Sequence, residues 1–255
     1  MTETFQTPGP VTLVLRVPAG EIEIETVGGA ETRVELEPDD EARVDCRRRG
    51  DEYEVLVEVK GRALGRQREY RLRVQAPDGA RVDANTKSAD VLGRGRFASI
   101  QLNTASGDVS FDEVEGAVKV NSATGEVGCA RIGGEATIST ASGDVEVQDL
   151  AGPATIRSAS GDVSIGSAGP DLSVQTASGD GRIAAVTEGK VDLKSASGDL
   201  RIGISRGSRL WVDAKSLSGE TSSELDVGDT PVGDDGPLVE LRATTLSGDI
   251  EIVRA

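Results

Sequence analysis

From residue 81 onward, apolar and polar residues follow a fixed beat. Counted from the glycine of a recurring Ser-Gly-Asp corner, apolar residues fall at +2, +4, +7, +11, +13 and +16. In the coil that starts at Gly161 these are Val163, Ile165, Ala168, Leu172, Val174 and Ala177. In the coil that starts at Gly143 they are Val145, Val147, Leu150, Ala154, Ile156 and Ala159. The second triplet is the first moved by nine, so each 18-residue coil consists of two similar halves. Two apolar residues two apart, with Ser164, Ser173 or Glu146 between them, are the pattern of a short strand buried on one face. The third apolar position, usually Ala, is expected to fill the inside of the bend. Gly at the corner supplies the backbone freedom that a tight turn needs.

The corner glycines are Gly107, Gly125, Gly143, Gly161, Gly179, Gly198, Gly219 and Gly248, with four steps of 18 residues followed by 19, 21 and 29. A fixed period of this length is the signature of stacked repeats. Two strands per coil predict an all-β, single-stranded β-solenoid, flattened, with two parallel sheets face to face. A three-sided coil of hexapeptides would repeat every six residues, and the nine-residue half disfavours it. No helix is predicted, because apolar residues never hold a 3.6-residue period. At a strand spacing of about 4.8 Å, roughly nine or ten coils would stack to on the order of 45 Å.

The first third is less regular. Val11-Thr-Leu-Val-Leu-Arg-Val17 and Glu21-Ile-Glu-Ile-Glu25 alternate as strands, and Gly20-Glu21-Ile22-Glu23-Ile24 already has the form of the later corners. Residues 37–75 break the period. Val44, then Tyr53, Val55, Val57 and Val59, then Tyr70, Leu72 and Val74 mark longer strands joined by turns at Gly50-Asp51 and residues 61–68. These are expected to form wide rungs or a small antiparallel sheet capping the stack, since an open coil leaves backbone groups unpaired. Two regions are expected: a cap over residues 1–78, and regular repeats over residues 79–255. The acidic stretch at 222–237 is read as a loop inserted between the last two coils.

Composition narrows the chemistry. Histidine is absent from the 255 residues and aromatics make up 2%. This removes the commonest general base and metal ligand, and leaves a thin core of small branched side chains. Cys46 and Cys129 stand alone, without a metal-ligand spacing; two unpaired thiols are expected, with a disulfide between them as the alternative. The net charge is −16. Residues 43–96, bounded by Arg43 and Arg96, hold fourteen Lys/Arg against nine Asp/Glu, so the remainder carries −21. The acidic body argues against nucleic acid. The basic segment offers at most weak peripheral contact with an anionic membrane face, and a solvated, strand-rich surface is the plainer reading. Neither a signal-peptide pattern nor 18 consecutive apolar residues is present, which sets the expectation of a cytoplasmic chain.

Stacking turns the repeat into columns. One is acidic: Asp90, Asp108, Glu126, Asp144, Asp162, Asp180, Asp199, Glu220 and Asp249. Another runs through Thr104, Ser122, Thr140, Ser158, Thr176, Ser195, Ser216 and Thr245, and is expected on the edge with the acids. Like charges about 5 Å apart repel by about 1 kcal/mol or more, so something must offset them. Turn amides and neighbouring hydroxyls bonded to each Asp would suffice. The competing reading is a cation site at Asp108, Asp144, Asp162, Asp180 and Asp199, since Ca²⁺ takes carboxylate oxygens. The nine-residue half and its Gly-Asp corner resemble calcium β-roll repeats, although the Gly-Gly-x-Gly-x-Asp pattern is missing. No catalytic residue is assigned and no cofactor is implied. Arg182, Lys194 and Arg201 lie near the Asp180 and Asp199 turns, as in carbohydrate-cleaving β-helices, but no coil carries an unusual acid cluster. Nucleophile elbows, P-loops and dinucleotide fingerprints are absent.

The recurrent Thr/Ser-Ala-Ser-Gly-Asp-Val phrase, preceded by Arg71-Leu-Arg-Val-Gln-Ala-Pro-Asp-Gly-Ala-Arg-Val-Asp-Ala-Asn-Thr86, resembles the bacterial Toastrack family, also labelled "putative adhesin". The resemblance implies an all-β solenoid of largely unknown function. Through relatives attached to envelope and membrane-stress proteins, it also implies a scaffold or sensing role. The expected function is a non-enzymatic scaffold or interaction module with a protein partner, or self-association through the solenoid ends. The alternative is a cation-binding or surface adhesin-like repeat.

Overall fold

The computed structural model describes residues 1–39, 42–60, 68–224 and 236–255. These form 24 strands, and no helix occurs among them. The chain divides into two compact units, Met1–Ala130 and Arg131–Ala255.

The second unit carries the regular repeat. One ladder runs through Ala136–Ser142, Ala154–Ser160, Asp171–Ser178 and Gly189–Ser197, all parallel. The other runs through Val145–Leu150, Val163–Ala168, Gly181–Val186 and Leu200–Ile204. Equivalent residues stack in register: Ala136 on Ala154 on Leu172 on Val191, and Val145 on Val163 on Gly181 on Leu200. The +2, +4, +11 and +13 positions form the core, as the alternation predicts. The 18-residue β-solenoid with two strands per coil is therefore the observed fold.

The bend differs from expectation. Thr140, Ser158, Thr176 and Ser195 are buried, while Ala141, Ala159 and Ala177 beside them are exposed. The hydroxyl column lies inside the corner and the alanines outside. The reason is the strict alternation of a strand that continues past +13 to +15, so that +15 faces inward like +11 and +13. The Oγ atoms of these four residues are buried without a protein hydrogen-bond partner.

The last coils do not stack in chain order. The strand Leu238–Ser247 pairs on one side with Gly189–Ser197 and on the other with Arg209–Ser216. Ile250–Arg254 likewise lies between Leu200–Ile204 and Thr221–Ser223. The chain runs outward to the terminal coil first, and its final coil then inserts beneath. Residues 238–254 therefore do not close the array; residues 209–223 do. Composition accounts for the exchange. The inward positions Ile250 and Ile252 face Thr221 and Ser223 across the ladder, and the polar pair occupies the end that meets water. Most of the stretch read as an inserted loop, residues 225–235, lies outside the described residues.

The first unit contains the same exchange. Val11–Arg16 pairs in parallel with Glu52–Val59 and with Ala80–Asn85, and Ala19–Val27 pairs with Tyr70–Pro77 and Ser88–Thr104. The first coil thus sits between two later ones. Gly20 aligns with Ala89 and Ile22 with Val91, so the repeat does begin at Gly20. Antiparallel strands cover the outer side, as a cap requires. Ala42–Arg49 forms a hairpin with Glu52–Val59 around Gly50, Glu31–Glu37 packs on Tyr70–Pro77, and Thr2–Gln6 on Glu31–Glu37. Of the turn read at residues 61–68, residues 61–67 fall outside the described residues. Gly93, which stands where a core side chain belongs, makes room for the Phe111 ring: a Cβ there would lie 2.1 Å from it. Phe111 in turn meets Phe97 edge-on at 5.3 Å.

Candidate functional site

Each corner of the second unit is closed by two kinds of hydrogen bond. The glycine amide donates to the serine carbonyl of the adjacent coil, as from Gly161 to Ser178 at 3.1 Å and from Gly179 to Ser197 at 3.0 Å. The next amide, that of the acidic residue, is bonded instead by a side chain. Asp144 Oδ1 accepts from the Asp162 amide, Asp162 from Asp180, Asp180 from Asp199, Asp199 from Asp249 and Asp249 from Glu220, all at 2.8–2.9 Å. The last two bonds correct the order of the column: Asp249 lies between Asp199 and Glu220. In the first unit Asp90 accepts from Asp108, and Asp108 from Glu126, both at 2.9 Å.

These are charge-assisted bonds, and they offset the repulsion along the column while completing the backbone pairing at the bend. Asp108, Asp144, Asp162, Asp180 and Asp199 each give one oxygen to an amide. Among the described residues no three acidic or thiol side chains converge as a metal would require. Calcium is accordingly expected to leave the melting temperature unchanged. A rise of several degrees in a calcium titration followed by thermal melting would instead assign the column to a cation.

Of the residues that resemble a glycosidase set, Arg182 and Arg201 stack in register on one ladder beside the bonded Asp180–Asp199 corner, and Lys194 stands apart on the other ladder. Lys194 pairs with Asp192 at 2.8 Å on one ladder, while Arg201 pairs with Glu251 on the other. The basic segment is likewise balanced by acids. Arg43 and Arg47 share Asp45, and Arg71, Arg73, Arg81 and Arg96 pair with Glu21, Glu23, Glu52 and Asp78. Such exposed pairs contribute little to stability, but they leave no bare cationic face in this group. Cys46 and Cys129 do not form a disulfide. Partial burial, and then the Asp45 carboxylate, push the Cys46 thiol up from its ordinary value.

A concavity interrupts the repetition of the second unit. A groove of about 260 Å³ opens on the outer face of the second unit, lined by Glu135, Pro153, Thr155, Asp171, Ser173 and Lys190 among others. It forms because the residue just before the first inward position of each of these strands varies (Glu135, Pro153, Asp171, Lys190), whereas the neighbouring outward positions, Thr155 and Ser173, are small. This variation inside an otherwise fixed beat was the readable signal of a special place.

A family model describing the Toastrack family (DUF4097) matches residues 12–253. The chain belongs to the Toastrack family. No curated protein matches the sequence. Among solved structures, this Toastrack chain is similar to a "putative adhesin" from Parabacteroides merdae, at 12% identity and a TM-score of 0.40, covering 100% of this chain and 96% of that one. A "putative cell adhesion protein" from Clostridium sporogenes matches at 11% identity, TM-score 0.29, with 100% and 99% covered. A "putative lipid binding protein" from Parabacteroides distasonis matches at 12% identity, TM-score 0.34, with 100% and 96% covered. No helix among the described residues is long and apolar enough to cross a membrane.

Proposed function

We propose that this Toastrack chain is a non-enzymatic scaffold whose acidic outer face docks a protein partner through a basic, extended segment. The observation that carries this reading is the groove lined by Glu135, Asp171, Lys190 and Asp192, a place where the uniform surface of the second unit becomes concave. Its unit holds eleven Lys/Arg against twenty Asp/Glu over residues 131–255, a net −9, which favours cationic partners and speeds their encounter. The corner acids and amides are committed to one another, so the uniform parts of the surface supply a frame.

The test is titration of the full chain with a lysine-rich peptide and a glutamate-rich one. The lysine-rich peptide is expected to bind in a salt-sensitive manner, and Asp171→Lys with Glu135→Lys to weaken it by about tenfold. Equal binding of both peptides, or no effect of the double variant, overturns the reading. The envelope-stress setting implied by the family is a separate element of the proposal. A deletion strain that withstands envelope-disrupting detergent as well as its parent removes that element alone.

A further inference from the structure

The strand Arg209–Ser216 ends its ladder: among the described residues its sheet partner is Leu238–Ser247. Its odd-numbered residues turn their amides to that partner, as the bonds from Arg209 to Pro237 at 2.8 Å and from Leu217 to Thr245 at 3.2 Å mark at either end. Main-chain groups alternate sides along a strand, so Leu210, Val212, Ala214 and Ser216 direct theirs to the opposite edge. Their side chains continue the core column, yet Val212 is 45% exposed while Leu241, stacked beside it, is fully buried. On the outer face Trp211 is 47% exposed, with the Arg242 guanidinium 5.7 Å from its ring centre. An unpaired edge with an apolar inner face and an exposed Trp is a template for another strand.

We propose that this edge binds the same edge of a second copy of the chain, antiparallel about a two-fold axis, with Trp211 opposite Trp211. Charge narrows the register to those centred on Trp211 and on Ala214, and the apolar and aromatic pairs favour the first, since the second sets Val212 against Ser216. Setting Val212 opposite itself would place Arg209 against Lys215, and setting Asp213 opposite itself would place carboxylate on carboxylate. The Trp211-centred register instead sets Arg209 against Asp213 twice, Leu210 against Val212 twice, and the two indoles together, all favourable cross-strand pairs. A two-fold pairing also closes on itself, so it yields a dimer rather than a filament. Another edge strand, Ala42–Arg49 in the first unit, carries Arg43, Arg47, Arg48 and Arg49 and offers no such match. This inference is independent of the groove and its partner.

The test uses the full chain with Cys46→Ser to remove the half-buried thiol. Opposed residues of a non-hydrogen-bonded antiparallel pair have Cα atoms about 4.5 Å apart, within disulfide range. Mild oxidation of the Trp211→Cys variant is therefore expected to yield a covalent dimer, and that of the Lys215→Cys variant to yield no covalent dimer. In sedimentation velocity the unmodified chain is expected to dimerise with rising concentration. Val212→Lys and Asp213→Arg should each weaken the dimer about tenfold or more with unchanged circular dichroism, and Asp213→Arg joined with Arg209→Asp should restore it. A chain that stays monomeric at high concentration overturns the proposal. So do equal cross-linking at 211 and 215, or a charge swap that restores nothing.

Discussion

Replacing Gly161 by alanine is expected to destabilise the protein by about 3 kcal/mol or more, a melting temperature lower by roughly 6–12 °C. Gly161 has φ of +140°, a conformation that side chains other than glycine's rarely adopt. A Cβ at this position would stand 2.3 Å from the Gly143 carbonyl oxygen of the coil below. That oxygen belongs to the main chain of the stack and cannot turn aside. The same contact recurs at Gly179 and Gly198, at 2.2 and 2.1 Å, so the variant must push neighbouring coils apart or break the corner bonds between them. Gly181 supplies the contrast. Its added Cβ would meet the Leu200 Cδ2 at 2.9 Å, the far end of a flexible side chain, so Gly181→Ala is expected within about 1 kcal/mol of the parent. Thermal melting of both variants decides the matter. Equal losses would mean that the corner is not where the stack is tight.

This difference between two glycines shows what a single sequence conveys. The period marks Gly161 as a corner and Gly181 as a gap in the core column, because one repeats and the other replaces Val163 or Val145. The inward pairs and the start of the repeat at Gly20 were legible for the same reason: alternation at period two is a direct image of which side faces the core. The hydroxyl column was misplaced because composition was weighed over parity. Ala177 is more apolar than Thr176, but Thr176 is an even number of residues from Leu172 and Val174 along a continuous strand, and parity prevails. The role of the acids was legible only as a pair of alternatives, since Asp Oδ1 bonding to the amide of the next coil is a matter of ångströms. The groove was readable only as the varying residues Glu135, Pro153, Asp171 and Lys190 inside a fixed beat, a signal weaker than the repetition around it.

The threading of the last coils was legible in principle, and it carries the second large effect. Leu241→Ala is expected to cost about 2–5 kcal/mol, as a fully buried leucine does when truncated. Val212→Ala, in the residue stacked directly on it, is expected to cost less than about 1 kcal/mol. Stacking in chain order would give the opposite result. Residues 209–223 would then be interior, and the coil of residues 238–254 would be the exposed end. The steps of 21 and 29 residues that break the period together span the 50 residues from Gly198 to Gly248, and it is Gly248 whose Cβ would meet the Gly198 carbonyl, at 2.1 Å. The inward residues after each corner hold the reason. Ile250 and Ile252 gain by burial on both sides, roughly 1.5–3 kcal/mol for each such side chain relative to exposure. Thr221 and Ser223 gain little there and lose nothing by facing water. Exchanging the two coils in space would strand the isoleucines at the open end and bury two hydroxyl-bearing residues in their place. Denaturant melts of the two variants, read as midpoint shifts at constant slope, distinguish the arrangements. A larger shift for Val212→Ala than for Leu241→Ala would return the coils to chain order.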